Sequence, residues 1–125
     1  MNIRTLQRGL KYCGRVAAVR QTYHVFASPG YYFVLSFARA RARRGSGYFN
    51  LVDRAAVDYV QQRVGGTRGV TAKRVLAAAR RTRYVPTRLL ALNVLYVLVA
   101  LDRASITRAG ENRQLFFSVR KAPRR

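Results

Sequence analysis

The chain has 125 residues, half of them apolar, and sets 25 Lys and Arg against four Asp and Glu for a net charge of +21 at pH 7. That apolar share excludes wholesale disorder and is enough for one domain, or one domain with an extension, to bury a core. The charge excludes an ordinary balanced surface, because self-repulsion of this size works against a compact state unless a polyanion or dense counterions screen it.

Ile3, Leu6 and Leu10 stand at helical spacing among Arg4, Gln7, Arg8 and Lys11, which predicts a short amphipathic helix over the first dozen residues. No apolar stretch follows that would make a signal peptide. Cys13 is the sole cysteine, so there is neither a disulfide framework nor a CxxC metal spacing. From Val16 the texture turns β-branched and aromatic. "TYHVFA" and "YYFVLSF" flank the turn signal Ser28-Pro29-Gly30, and "GYFNLV" follows Gly45-Ser46-Gly47, predicting a small antiparallel sheet.

Between the second and third of these runs lies "ARARARR". If the strand continues, Arg39, Arg41 and Arg43 project from one face at period two beside Arg44, a ribbon suited to phosphates, with a solvated hairpin tip as the plainer reading. All but three of the basic residues are arginine, whose planar fork matches phosphate oxygens and stacks on bases; a GC-rich genome would leave the same bias.

From Asp53 the pattern is helical. Asp53 suits an N-cap for "RAAVDYVQQRV", with Ala56, Val57, Val60 and Val64 on one face and Arg54, Asp58 and Gln61 on another, and Gly65-Gly66 ends it. After a short extended "GVT", Thr71 caps "AKRVLAAARRT", which buries Val75, Leu76 and Ala79 and shows Lys73, Arg74, Arg80 and Arg81. Pro86 fits the first turn of a third helix running to about Asp102. Its apolar run, Leu89 to Leu101, is shorter than the roughly 20 residues that span a bilayer, so no membrane partner is expected. "SIT" and "QLFFSV" then read as a hairpin whose tip, Arg108 to Arg113, carries two arginines, followed by the basic tail "RKAPRR". There are no internal repeats.

Helix, extended "GVT", helix, turn, helix and hairpin in this order resemble the winged helix-turn-helix family over residues 51–119. With the small N-terminal antiparallel sheet and helix read above for 1–50, the resemblance implies an α+β fold that continues in three helices and a C-terminal wing (51–119), with a basic tail at 120–125. In that family the third helix lies in the DNA major groove and the hairpin touches backbone or minor groove. Carried over, Thr87, Arg88 and Asn93 sit on the reading helix, Arg108 and Arg113 on the wing, and Lys73, Arg74, Arg80 and Arg81 meet flanking phosphates. The third helix departs from the family pattern: Leu89, Leu92, Val97 and Val99 leave little polar surface for base edges. Either the N-terminal sheet or a second subunit covers it, or only its first turn meets the partner. A narrower similarity, over Asp53–Thr71 and "ENRQLFFSV", is to the winged-helix protein family of the archaeal and eukaryotic small ribosomal subunit. The sheet-like first fifty residues depart from that family's short, lysine-rich leader.

Catalytic chemistry has little to stand on. Asp53, Asp58, Asp102 and Glu111 are the only carboxylates, no DxD, ExK or HExxH spacing is present, and His24 is the lone histidine, in a predicted strand. Cys13 between Lys11 and Arg15 reads as a semi-buried structural thiol sooner than a nucleophile. Tyr31, Tyr32 and Tyr48 could stack bases on an exposed sheet face, with core or rim packing as the commoner use of such rings. The sequence therefore leads to a non-enzymatic DNA-binding protein without cofactor or metal, cytoplasmic and nucleoid-associated or held inside a nucleoprotein particle. It would be architectural, packaging or nucleocapsid-like sooner than a promoter reader. Two alternatives stay open: an RNA-bound structural protein of ribosomal type, and an interaction subunit that forms a homodimer through the third helix.

Overall fold

A computed structural model describes residues 10–18, 21–36, 48–79, 85, 87–109 and 115–122. The fold is α+β. A four-stranded antiparallel sheet in the order β1-β2-β3-β4 comprises Lys11–Ala17 (β1), Thr22–Ala27 (β2), Tyr31–Ser36 (β3) and Tyr48–Asp53 (β4). Three helices follow, Arg54–Val64 (α1), Ala72–Ala79 (α2) and Arg88–Ala100 (α3), and then the antiparallel hairpin Ala104–Ala109 (β5) and Leu115–Val119 (β6).

Alternation along the strands sorts the sheet into two faces. Val25 pairs with Val34, Ala27 with Tyr32 and Tyr32 with Val52, and all of these side chains point into the core. α3 lies across that face in contact with all four strands and with α1, α2 and β5. Its Ala91, Val94, Leu95, Val97 and Leu98 are buried in one cluster with Val16, Val25, Val34 and Val52 of the sheet and Val57, Val60 and Val75 of the other helices. This is why α3 is apolar almost all round: sheet, helices and hairpin enclose it. At Gly14 the sheet approaches so closely that a Cβ would stand 3.2 Å from the Ala100 carbonyl oxygen.

The division at residue 50 falls inside β4, and β4 runs straight into the cap of α1, whose Asp53 Oδ1 accepts from Ala55 N at 2.8 Å. The strand β1 departs from expectation. Lys11 opens a strand, where the helical reading had run over the first dozen residues; the rest of that segment lies outside the described residues. Tyr12 and Val16 pair with Phe26 and Tyr23 across β2, so cross-strand packing decides the segment against a helical spacing only one or two turns long. Gln61 departs too: placed on the polar side of α1 by periodicity, it is buried, and its Nε2 donates to the Arg120 carbonyl at 3.2 Å. There α1 meets the chain leaving β6. A Cβ on Gly65 would run into the Gln61 carbonyl and sit 3.0 Å from that of Arg120, so only glycine fits the crossing.

Candidate nucleic-acid interface

The hairpin is bound to the helical half through backbone. Val70, in the extended stretch between α1 and α2, exchanges two hydrogen bonds with Phe117 of β6: Val70 N to Phe117 O at 2.9 Å and Phe117 N to Val70 O at 2.8 Å. Gly66 N donates to Val119 O at 2.7 Å, and Val119 N to Thr67 O at 3.0 Å. The Phe117 ring is fully buried and meets Tyr96 of α3 edge to face at 6.2 Å, while Tyr96 stacks on Tyr23 of β2 at 4.3 Å. Burial, reinforced by Tyr23, pushes the Tyr96 phenol well above its usual range, as expected of a ring held inside the core. The hairpin is therefore fixed at its base, and its tip, residues 110–114, lies outside the described residues.

Two helix starts carry cations. Thr71 Oγ1 accepts from Arg74 N at 3.2 Å at the head of α2, and Thr87 Oγ1 accepts from Leu90 N at 3.1 Å at the head of α3. The first turn of α2 exposes Lys73 and Arg74, the first turn of α3 exposes Arg88, and neither turn holds an acid. A cation at the positive end of a helix dipole is unfavourable, by about 0.3–1 kcal/mol each, and an anion bound there reverses the sign. The carboxylates among the described residues are placed elsewhere. Asp53 caps α1, Asp58 Oδ1 lies 3.3 Å from Arg103 Nη1, and Asp102 Oδ1 lies 3.5 Å from Arg120 Nη2. Among the described residues no ion pair engages Lys73, Arg74 or Arg88.

No family model, curated protein or solved structure matches this chain.

Of the residues expected to bind nucleic acid, Lys73, Arg74, Thr87 and Arg88 thus lie at exposed helix starts. Thr87 is engaged by its cap, so it positions Arg88. Arg108 is in β5, next to a register shift between Ile106 and Arg108. Arg39, Arg41, Arg43, Arg44, Arg80, Arg81 and Arg113 lie outside the described residues, as does Pro86.

Asn93 needs correction. It is 1% exposed, its Nδ2 donates to the Leu89 carbonyl one turn back at 2.8 Å, and its Oδ1 has no partner. A side chain enclosed in this way does not reach a base edge. Burial of the whole middle of α3 leaves its first turn as the exposed part, including Leu89, the one exposed large apolar side chain of that helix. The chain's own sheet takes most of the apolar surface of α3, so a homodimer through the third helix would have only Leu89 and half-buried side chains such as Leu92 to use. Replacing Asn93 by Leu removes a buried oxygen without a partner, an arrangement that costs about 1–3 kcal/mol. The expected result is unchanged or raised stability in urea unfolding and unchanged affinity for duplex DNA; a loss of affinity in a variant of full stability would return Asn93 to the interface.

Sequence reading also missed Arg68, exposed in the turn just before Val70. The signal available was its position between two glycines beside the extended stretch. Burial raises the Cys13 thiol above its usual range despite Lys11 and Arg54, and burial followed by Arg15 lowers His24, whose Nδ1 lies 3.1 Å from the Tyr12 hydroxyl. No described helix is long and apolar enough to cross a membrane.

Proposed function

We propose that this is a non-enzymatic DNA-binding protein with a winged-helix half, held to duplex DNA chiefly through phosphates and with little sequence selectivity. The observation that carries it is the pair of exposed helix starts, α2 with Lys73 and Arg74 and α3 with Arg88. They place cations and unpaired backbone N–H groups together in a chain of net charge +21. The Val70–Phe117 bridge supports the wing: it gives the hairpin a third, short strand from between the first two helices. The enclosure of α3 supports backbone contact over base reading, since little beyond its first turn is open to a groove.

Such binding is driven by counterion release and suits an architectural, packaging or nucleocapsid-like role, in a nucleoid or a nucleoprotein particle. The test is competition between random duplex DNA and structured RNA for the nuclease-treated protein, from about 50 to 400 mM salt, a range over which phosphate contacts weaken steeply. Preference for duplex DNA is the expected result. Preference for structured RNA would replace this reading with that of an RNA-bound structural protein, in which the hairpin braces RNA.

A further inference from the structure

The face of the sheet turned away from α3 is aromatic; Phe26 of β2 and Leu35 of β3 are buried in its middle, and the interface described above leaves the open remainder unused. Four of the five exposed large apolar side chains among the described residues are here: Tyr12 on β1, Tyr31 on β3, and Phe49 and Leu51 on β4. Phe49 is 55% exposed and Tyr31 48%. Phe33, between them on β3, stands opposite Leu51 and has its ring 6.1 Å from that of Phe49. Arg15 projects from the same face beside His24. A cluster of exposed rings of this kind marks a binding surface.

Charge and ring chemistry select the occupant. A second copy of the chain would bring +21 against +21, so self-association by this face is opposed. An acidic peptide would be drawn by the arginines but would gain nothing from rings. Unpaired bases present flat π-faces to Tyr31, Phe33 and Phe49 while their phosphates answer the positive field, and a duplex keeps those faces stacked inside. Among the described residues the one acid on the face, Asp53 opposite Tyr31, has its Oδ1 taken by the cap of α1.

We infer that the open part of this face is a platform for single-stranded nucleic acid, with bases stacked on Tyr31, Phe33 and Phe49 and the backbone drawn by Arg15 at the β1 edge and by the net positive charge of the chain. It shares with the proposed function only the choice of a nucleic-acid partner; it uses neither the helix starts nor the hairpin. A chain with both surfaces would hold a duplex and an adjoining single strand together.

The test measures binding of three probes: a labelled thymidine oligonucleotide of about 12 residues, within the site size of such platforms, an abasic strand of the same length, and a duplex. The double variant Tyr31→Ala/Phe49→Ala is compared with the unaltered chain, and Phe49→Tyr serves as the variant that keeps a ring. Two exposed side chains are removed, so folding is retained. The expected result is a loss of at least about tenfold on the oligonucleotide, down to the abasic level, with duplex binding unchanged and Phe49→Tyr close to the unaltered chain. Equal affinity of the unaltered chain for oligonucleotide and abasic strand would overturn the platform, as would an unchanged double variant or an equal loss on duplex. Binding of the oligonucleotide without any binding of duplex would sink the proposed function and leave the platform standing; binding of neither would sink both.

Discussion

Replacing Phe117 by Ala is expected to lower the unfolding free energy by about 3–5 kcal/mol, the usual result of emptying a large buried ring from a core. The ring is fully buried at the point where β6, the Val70 bridge and Tyr96 of α3 come together. Domains of this kind have about 5–15 kcal/mol in all, so the variant forfeits roughly a fifth of its stability or more. A charge of +21 sharpens the effect, because self-repulsion is least screened at low salt. Urea unfolding at low and high salt measures it. A lower midpoint with an unchanged slope, most marked at low salt, is the expected pattern. A loss below about 1 kcal/mol would mean that the hairpin is not docked on the core, since only a poorly packed ring is removed so cheaply.

The second large effect concerns affinity. Replacing Lys73, Arg74 and Arg88 together by Gln is expected to reduce the slope of log affinity against log salt for duplex DNA by about two to three units, at roughly 0.9 for each phosphate that is no longer neutralised. The same variant is expected to unfold at equal or slightly higher denaturant, because three cations leave the positive ends of α2 and α3. Affinity and stability moving in opposite directions separate a binding role from a structural one. A variant with the slope unchanged would remove these helix starts from the interface.

Much of the architecture was legible in the sequence because local signals and global packing agree. Asp53 and Thr71 cap α1 and α2 as their positions suggest, and the apolar spacing of Ala56, Val57, Val60 and Val64 marks the buried side of α1. The strands β2, β3 and β4 and the closing hairpin follow their β-branched and aromatic runs. β1 was hidden because its side chains are mixed and its identity rests on pairing with β2, an interaction between segments that no local period reports. Gln61 and Asn93 were misjudged because polarity stood in for exposure. Each makes a hydrogen bond to a backbone carbonyl that lets a polar amide lie inside, Gln61 to Arg120 and Asn93 to Leu89. The aromatic outer face of the sheet was legible in part: Tyr31 is exposed as a stacking ring would be, whereas Tyr32 points into the core. The strand run "GYFNLV" does not say which way Phe49 and Leu51 point; the register with β3 turns them away from α3.

The most direct measurement of the central claim is the salt dependence of binding to random-sequence duplex DNA by the intact, nuclease-treated chain. Capture through six or more phosphates predicts a log–log slope of about −5 or steeper, with affinities that differ little between unrelated duplexes. Weak binding with a shallow slope, or strong binding confined to one sequence, would contradict it.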